Sequence, residues 1–174
     1  PAGRSATGQP AAGQHSGFVA LAGRPNVGKS SLTNAIVGEK VTIVSPRPQT
    51  TRHEIRGVLT RSDAQLVLVD TPGVHKPKTE MGRRLNRTAF EAREDTDATV
   101  LVVDASKGVG GPGDARLMAS MPDDVIVAIN KIDRLPQEQV LAAIKDASSL
   151  ARRFEKGSVE FFPISARTSQ GVPE

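Results

Sequence analysis

Short apolar runs alternate with segments of helical period along most of this 174-residue chain. Phe18 to Ala22 is an apolar run of strand length. Lys29 to Val37 places Leu32, Ala35 and Ile36 on one helix face, and Gly38 stands where that helix can stop. His53 to Thr60 and Gln65 to Val69 read as strands. The turn between them, Arg61 to Ala64, is so short that the pair must be antiparallel. Met81, Leu85, Ala89 and Ala92, spaced four, four and three, mark another helix face. Thr99 to Val103 and Val125 to Ile129 are continuous apolar runs, as parallel strands covered on both faces require. A Gly/Pro loop, Gly108 to Gly113, precedes a short helix ending near Met121. Pro136 suits the first turn of the last helix. Its apolar face is Val140, Leu141, Ile144, Ala147, Ala151 and Phe154, and Gly157 ends it. Val159 to Ile164 is the sixth strand. Val41 to Arg52, with Pro46 and Pro48 and no period, is a loop. The alternation predicts an α/β fold of three layers: a mostly parallel six-stranded sheet with one antiparallel edge strand and helices on both faces.

Composition narrows this picture only slightly. Pro1 to Ser16 is rich in Gly, Ala, Pro, Ser and Gln, has almost nothing to bury, and reads as a flexible tail in which His15 is solvated. The domain then runs from 17 to 174, a length suited to one core. Cysteine, tryptophan and tyrosine are absent, so the core is aliphatic, and disulfides and cysteine metal sites are excluded. The absence of cysteine fits a reducing cytosol. A net charge of +4 fits either a polyanionic partner or a solvated surface with a small basic excess. No apolar run reaches the length of a membrane span, and the first residues lack the order of a secretory signal.

The candidate chemistry lies at the predicted carboxyl ends of the strands, where sheets of this kind bind ligands. Gly23 to Ser30, GRPNVGKS, fits the phosphate-loop pattern. Its glycines let successive N–H groups face one anion, and the loop should open a helix whose N-terminus favours negative charge. Lys29 supplies a cation for terminal phosphates, and the Ser30 hydroxyl suits Mg²⁺. Asp70-Thr71-Pro72-Gly73 follows the third strand. Asp70 can hold the Mg²⁺ shell, and the Gly73 N–H can approach a terminal phosphate. Asn130-Lys131-Ile132-Asp133 follows the fifth. The Asp133 carboxylate can accept both guanine N1–H and N2–H₂, a donor pair that adenine lacks. Asn130 can orient the base and the neighbouring loop, and the stem of Lys131 can cover the ring face. Ser165-Ala166-Arg167 follows the last strand, where the Ala166 N–H is placed to reach a purine carbonyl.

These four motifs in this order resemble the GTP-binding domains of the translation-factor-related GTPases. GRPNVGKSSLTNAIVGEKVTIVSPRPQTTRH followed by DTPGVHKPKTEMGRRLNRTA resembles the Era-type members of that family over Gly17 to Glu174. Der and MnmE relatives share the phosphate loop and DTPG but typically carry a TRD-type segment where this chain has Gln49 to His53. The resemblance implies a phosphate-loop nucleotide hydrolase fold and Mg²⁺-dependent conversion of GTP to GDP and phosphate. It implies nucleotide contacts from Gly23, Arg24, Pro25, Asn26, Val27, Gly28, Lys29, Ser30 and Ser31 of the loop, from Asp70 to Gly73, from Asn130, Lys131 and Asp133, and from Ser165 to Arg167. Lys29, Thr51 and Gly73 take the catalytic roles, and Ser30, Thr51 and Asp70 the metal roles. Thr51 matches the first-switch threonine, with Thr50 as its unseparated neighbour.

Asn26 matches a loop asparagine that holds K⁺ in relatives; its other reading is a turn residue. Val74 stands where many GTPases have a water-orienting glutamine, and valine cannot hydrogen-bond to water. His75 and Arg52 near the switches, and Arg83, Arg84 and Arg87 on one helix end, read as solvated or partner-facing. The family implies action in assembly of the small ribosomal subunit and rRNA binding through a C-terminal KH domain. It also implies a cytoplasmic location, with peripheral contact at the inner face of the cell membrane as an option. The KH domain has no counterpart in these residues, and Gly171 to Glu174 would open a closing helix, so a fragment of a longer protein is expected, with one sheet face under-covered. Two function classes stay open: a GTP hydrolase, and a nucleotide-dependent binding module with negligible turnover. An ATPase is a distant third.

Overall fold

The computed structural model describes residues 15–38, 54–70 and 96–172, with only the backbone of 54–56 and 70. Among the described residues six strands form one sheet: β1 His15–Gly23, β2 Glu54–Thr60, β3 Ala64–Asp70, β4 Ala98–Asp104, β5 Ile126–Asn130 and β6 Glu160–Pro163. Their order is β2-β3-β1-β4-β5-β6. Only β2 runs antiparallel to its neighbour, paired with β3 across the short turn that the sequence predicts. Helix α1 (Lys29–Val37) lies on one face, and α2 (Pro112–Ala119) and α3 (Gln137–Arg153) on the other. The predicted architecture is therefore the one observed.

Each face has its own core. Leu101, Val103, Val127 and Ile129 pack with Leu117, Met118, Ala147 and Leu150 of α2 and α3. Val102 and Ala128, one residue out of phase on the same strands, pack with Val27, Leu32 and Ile164. Alternate residues thus serve opposite faces, which is why β4 and β5 are apolar throughout. Helix α1 also packs closely on β2: a Cβ at Gly57 would stand 2.8 Å from Cγ2 of Val37. On this face Leu59, Leu66, Val100, Ile126 and Phe162 line an open apolar groove, and Phe162 is 41% exposed.

Several boundaries differ from expectation. β1 begins at His15, inside the predicted tail, because it pairs in parallel with β3 from His15↔Ala64 onward; composition does not reveal that register. His15 is exposed, as expected. In α3, Leu141 is 55% exposed while Ala143, Ala147, Leu150 and Ala151 are buried. At 100° per residue Leu141 lies some two hundred degrees from Ala143, on the solvent side. Gly157 does not end α3. The helix stops at Arg153, with Glu155 in the left-handed region at φ 52° and the Lys156 N–H bonded to the Ala151 carbonyl at 3.2 Å. Gly38, by contrast, ends α1 as predicted, at φ 76°. The predicted loop over 41–52 and the helix face at Met81 to Ala92 lie outside the described residues, as do Pro173 and Glu174 of the closing helix expected over Gly171 to Glu174; Gly171, at φ 70°, stands in a turn.

Candidate functional site

The phosphate loop joins β1 to α1, so its anchor points are a buried strand and a helix start. Val27 is buried beneath it and points into the core of the α1 face. Gly28 holds φ 105°, and a Cβ there would collide with Nδ2 of Asn130; both facts require glycine. Among the described residues no side chain caps α1, and no acid stands in its first turn, so that end of the helix keeps its pull on an anion. The Lys29 ammonium lies over the loop, donating to the carbonyls of Gly23 at 3.0 Å and Arg24 at 3.4 Å. Ser30 and Ser31 are exposed at the start of α1.

Asn130, at the end of β5, ties three segments together. It is 2% exposed. Its Nδ2 donates to the Val27 carbonyl at 2.9 Å, and its Oδ1 accepts the N–H groups of Lys131 at 2.8 Å and Ala166 at 2.9 Å. Its amide thereby ties the loops together, and Asn130 also lines the neighbouring pocket. The Ala166 N–H, which the sequence assigns to a purine carbonyl, is turned to Asn130.

Lys131 is held at φ 71°, a conformation costly for a residue with a Cβ. Its ammonium donates to the Asn26 carbonyl at 2.7 Å and to Asp104 at 2.5 Å, and this pairing offsets the strain. Asn26 is itself left-handed at φ 63°, which asparagine tolerates. Asp133 accepts a hydrogen bond from the Ser165 hydroxyl at 2.8 Å, and Arg167 Nε stands 3.9 Å from its other oxygen. Ser165 is fully buried. It therefore orients the Asp133 carboxylate. Gly28, Ser31, Asn130, Asp133, Ala166 and Arg167 bound a pocket of about 420 Å³, a size suited to a small ligand.

Asp104 is a site residue that the motif reading misses. It closes β4, is 1% exposed, and accepts from Ser106 N–H at 3.1 Å and Ser106 hydroxyl at 2.6 Å as well as from Lys131. Burial pushes its pKa up, but the hydrogen bonds from Lys131 and Ser106 and the lysine charge outweigh that and hold it below the usual carboxylate value. The signal was present: an Asp directly after an apolar run, at the strand end that carried no motif. Asp104→Ala strips the buried partner from Lys131 and should lower stability by about 2–4 kcal/mol. Thermal unfolding would check this; an unchanged midpoint would show the pair to be of no consequence. The low pKa gives a direction. Stability from this pair is present above the ordinary carboxylate pKa and is lost as pH falls through the folded value.

Thr51, Thr71, Pro72 and Gly73 lie outside the described residues, as do Thr50, Arg52, Val74, His75, Arg83, Arg84 and Arg87. For Asp70 the backbone is described: it ends β3 in register with Leu21 of β1, on the strand next to the phosphate loop. Ser30 at the start of α1 and Asp70 at the end of β3 are residues with hard oxygen donors, a chemistry that suits Mg²⁺ sharing its shell with phosphates and water. Among the described residues no cluster of three or more His, Cys, Asp or Glu could hold a metal by itself.

The site has known counterparts. Residues 18–131 match the family described as "50S ribosome-binding GTPase". The "GTPase Era" of Mycobacterium tuberculosis (strain ATCC 25618 / H37Rv) is 45% identical over 164 residues, 91% of this chain and 53% of that protein. The crystal structure of Era with MgGDPNP and nucleotides 1506–1542 of 16S ribosomal RNA superposes with a TM-score of 0.69 at 34% identity, over 89% of this chain and 52% of that one. An Aquifex aeolicus Era variant bound to GDP·AlF4⁻ gives 0.66 at 32% identity, over 92% and 58%. The chain spans about half the length of the curated relatives it matches. With Gly28 of the phosphate loop, Asn130 and Asp133 lining one cleft, and with that match over residues 18–131, the chain belongs to the 50S ribosome-binding GTPase family.

Proposed function

We propose that this chain is the GTP-binding and GTP-hydrolysing domain of an Era-type switch protein acting in small ribosomal subunit assembly. The observation that carries the reading is the Asp133 carboxylate, oriented by Ser165 at the rim of a pocket that runs to Gly28 of the phosphate loop. A guanine there satisfies both carboxylate oxygens, while its phosphates reach the loop and the start of α1. Mg²⁺ supplies charge neutralisation at the phosphates when bound, with Ser30, Asp70 and Thr51 as its protein donors. The protein's own part is positional: Lys29 and the loop N–H groups hold the transferring phosphoryl group, and Gly73 offers an N–H to it. Such positioning and charge carry most of phosphoryl transfer.

The Era structure with a 16S rRNA segment supports the small subunit as the partner. RNA binding is assigned to a KH domain in the part of the relatives' length that this chain does not span. No described helix is long and apolar enough to cross a membrane. We place the protein in the cytoplasm, with any membrane contact peripheral at its inner face.

Val74 favours a second reading, a nucleotide-gated binding module with negligible turnover, because valine cannot orient water. Single-turnover hydrolysis with and without small subunits separates the two: a Mg²⁺-dependent burst of phosphate supports the hydrolase, and its absence in both supports the module. Asn26 is proposed as a K⁺ ligand that assists hydrolysis. Turnover in potassium buffer should then exceed that in sodium buffer at matched ionic strength, about tenfold for one ligand-held charge near the phosphates. Equal rates would leave Asn26 a turn residue.

A further inference from the structure

Phosphate chemistry explains the backbone of the loop but not the side chain of Arg24, its second residue. That side chain runs to α2, where its Nε stands 2.8 Å and one terminal nitrogen 3.5 Å from the two oxygens of Asp114. Asp114 is 1% exposed and also accepts the Gly110 N–H at 3.3 Å. Burial pushes its pKa up, and the Arg24 charge opposes that. The helix start is shaped for the arginine: a Cβ at Gly113 would stand 2.6 Å from Arg24 Cδ.

We propose that Asp114 is a positioning residue for the nucleotide phosphates, acting through Arg24 on the phosphate loop. The Arg24 carbonyl accepts the Lys29 ammonium, so whatever fixes Arg24 also fixes the cation that serves the phosphates. Two buried carboxylates pin the same short stretch from below. Asp104 holds residue 26 through Lys131, and Asp114 holds residue 24 directly. Only the first also touches the base loop. The second acts on the phosphate end, so its loss should be felt by phosphates and not by the base.

This inference rests on the guanine-nucleotide reading. The experiment compares GDP with guanosine, both competed against labelled GDP, on the unaltered chain, Asp114→Asn, Arg24→Gln, Arg24→Lys and the Gln/Asn double variant, with circular dichroism as the check on folding. Asp114→Asn and Arg24→Gln should each weaken GDP binding about tenfold, the weight of one charge-assisted contact, and leave guanosine binding unchanged. The double variant should lose no more than the weaker single variant, and Arg24→Lys, which keeps the charge, should recover part of the loss. Folded variants with unaltered GDP affinity, or with equal losses for GDP and guanosine, would overturn the proposal. Should Asp114→Asn fail to fold, Arg24→Gln decides alone, since Arg24 is one-third exposed. Failure of the unaltered chain to bind GDP or guanosine would instead count against the guanine-nucleotide reading.

Discussion

Asp133→Asn should lower GTP affinity about a hundredfold and raise affinity for xanthosine triphosphate above that for GTP. A carboxylate accepts at both oxygens, and guanine offers two donors, N1–H and the C2 amine. An asparagine keeps one acceptor, which Ser165 can still orient as it does Oδ1 of Asp133, but sets an N–H₂ against the C2 amine. Losing one charge-assisted hydrogen bond and facing donor to donor costs about 3 kcal/mol, or two decades in affinity. Xanthine carries a carbonyl at C2, so the same N–H₂ becomes a partner. Displacement of labelled GDP by GTP, XTP and ATP reads all three. ATP should compete poorly against the unaltered chain, because adenine would leave the carboxylate unpaired; a site built on buried hydrogen bonds rejects such a ligand by about 10⁴-fold. Intact GTP preference in the variant would remove Asp133 from base recognition.

The motifs were legible because each is local. GRPNVGKS needs only its own glycines and lysine, and the helix it opens begins at Lys29 and closes at Val37 as its spacing predicts. The sheet was legible for a similar reason: apolar runs buried on both faces leave little else for β4 and β5 to be. What the sequence concealed is contact across distance. Asp114 meets Arg24 from ninety positions away and Asp104 meets Lys131 from twenty-seven, and no local pattern reports either pair. Leu141 misled because an apolar residue beside a helical stripe looks like part of it, and only the phase relative to Ala143 and Ala147 decides. Ala166 lies at the pocket, but the partner of its N–H is set by the Asn130 rotamer, which sequence does not encode.

That rotamer underlies the second large effect. Asn130→Ala should lower the unfolding midpoint by about 10 °C and weaken GDP binding at least tenfold. It leaves three groups without their partner at once: the Val27 carbonyl and the N–H groups of Lys131 and Ala166. At about 1 kcal/mol for each, the loss is roughly 3 kcal/mol, and a domain of this size shifts by about 2–4 °C per kcal/mol. Asn130→Asp divides the effect. It keeps an acceptor for both N–H groups, so Lys131 and Ala166 stay satisfied, but it sets an oxygen against the Val27 carbonyl and pushes on the phosphate loop alone. Its GDP affinity should fall as far as that of the alanine variant, and burying its charge against the Val27 carbonyl adds a stability cost of its own. Unfolding followed with and without saturating GDP measures both quantities, because a ligand that binds only the folded chain raises the midpoint with its affinity. If Asn130→Asp gained as much from GDP as the unaltered chain, the bond to Val27 would have no part in shaping the loop, and Asn130 would serve the base loops only.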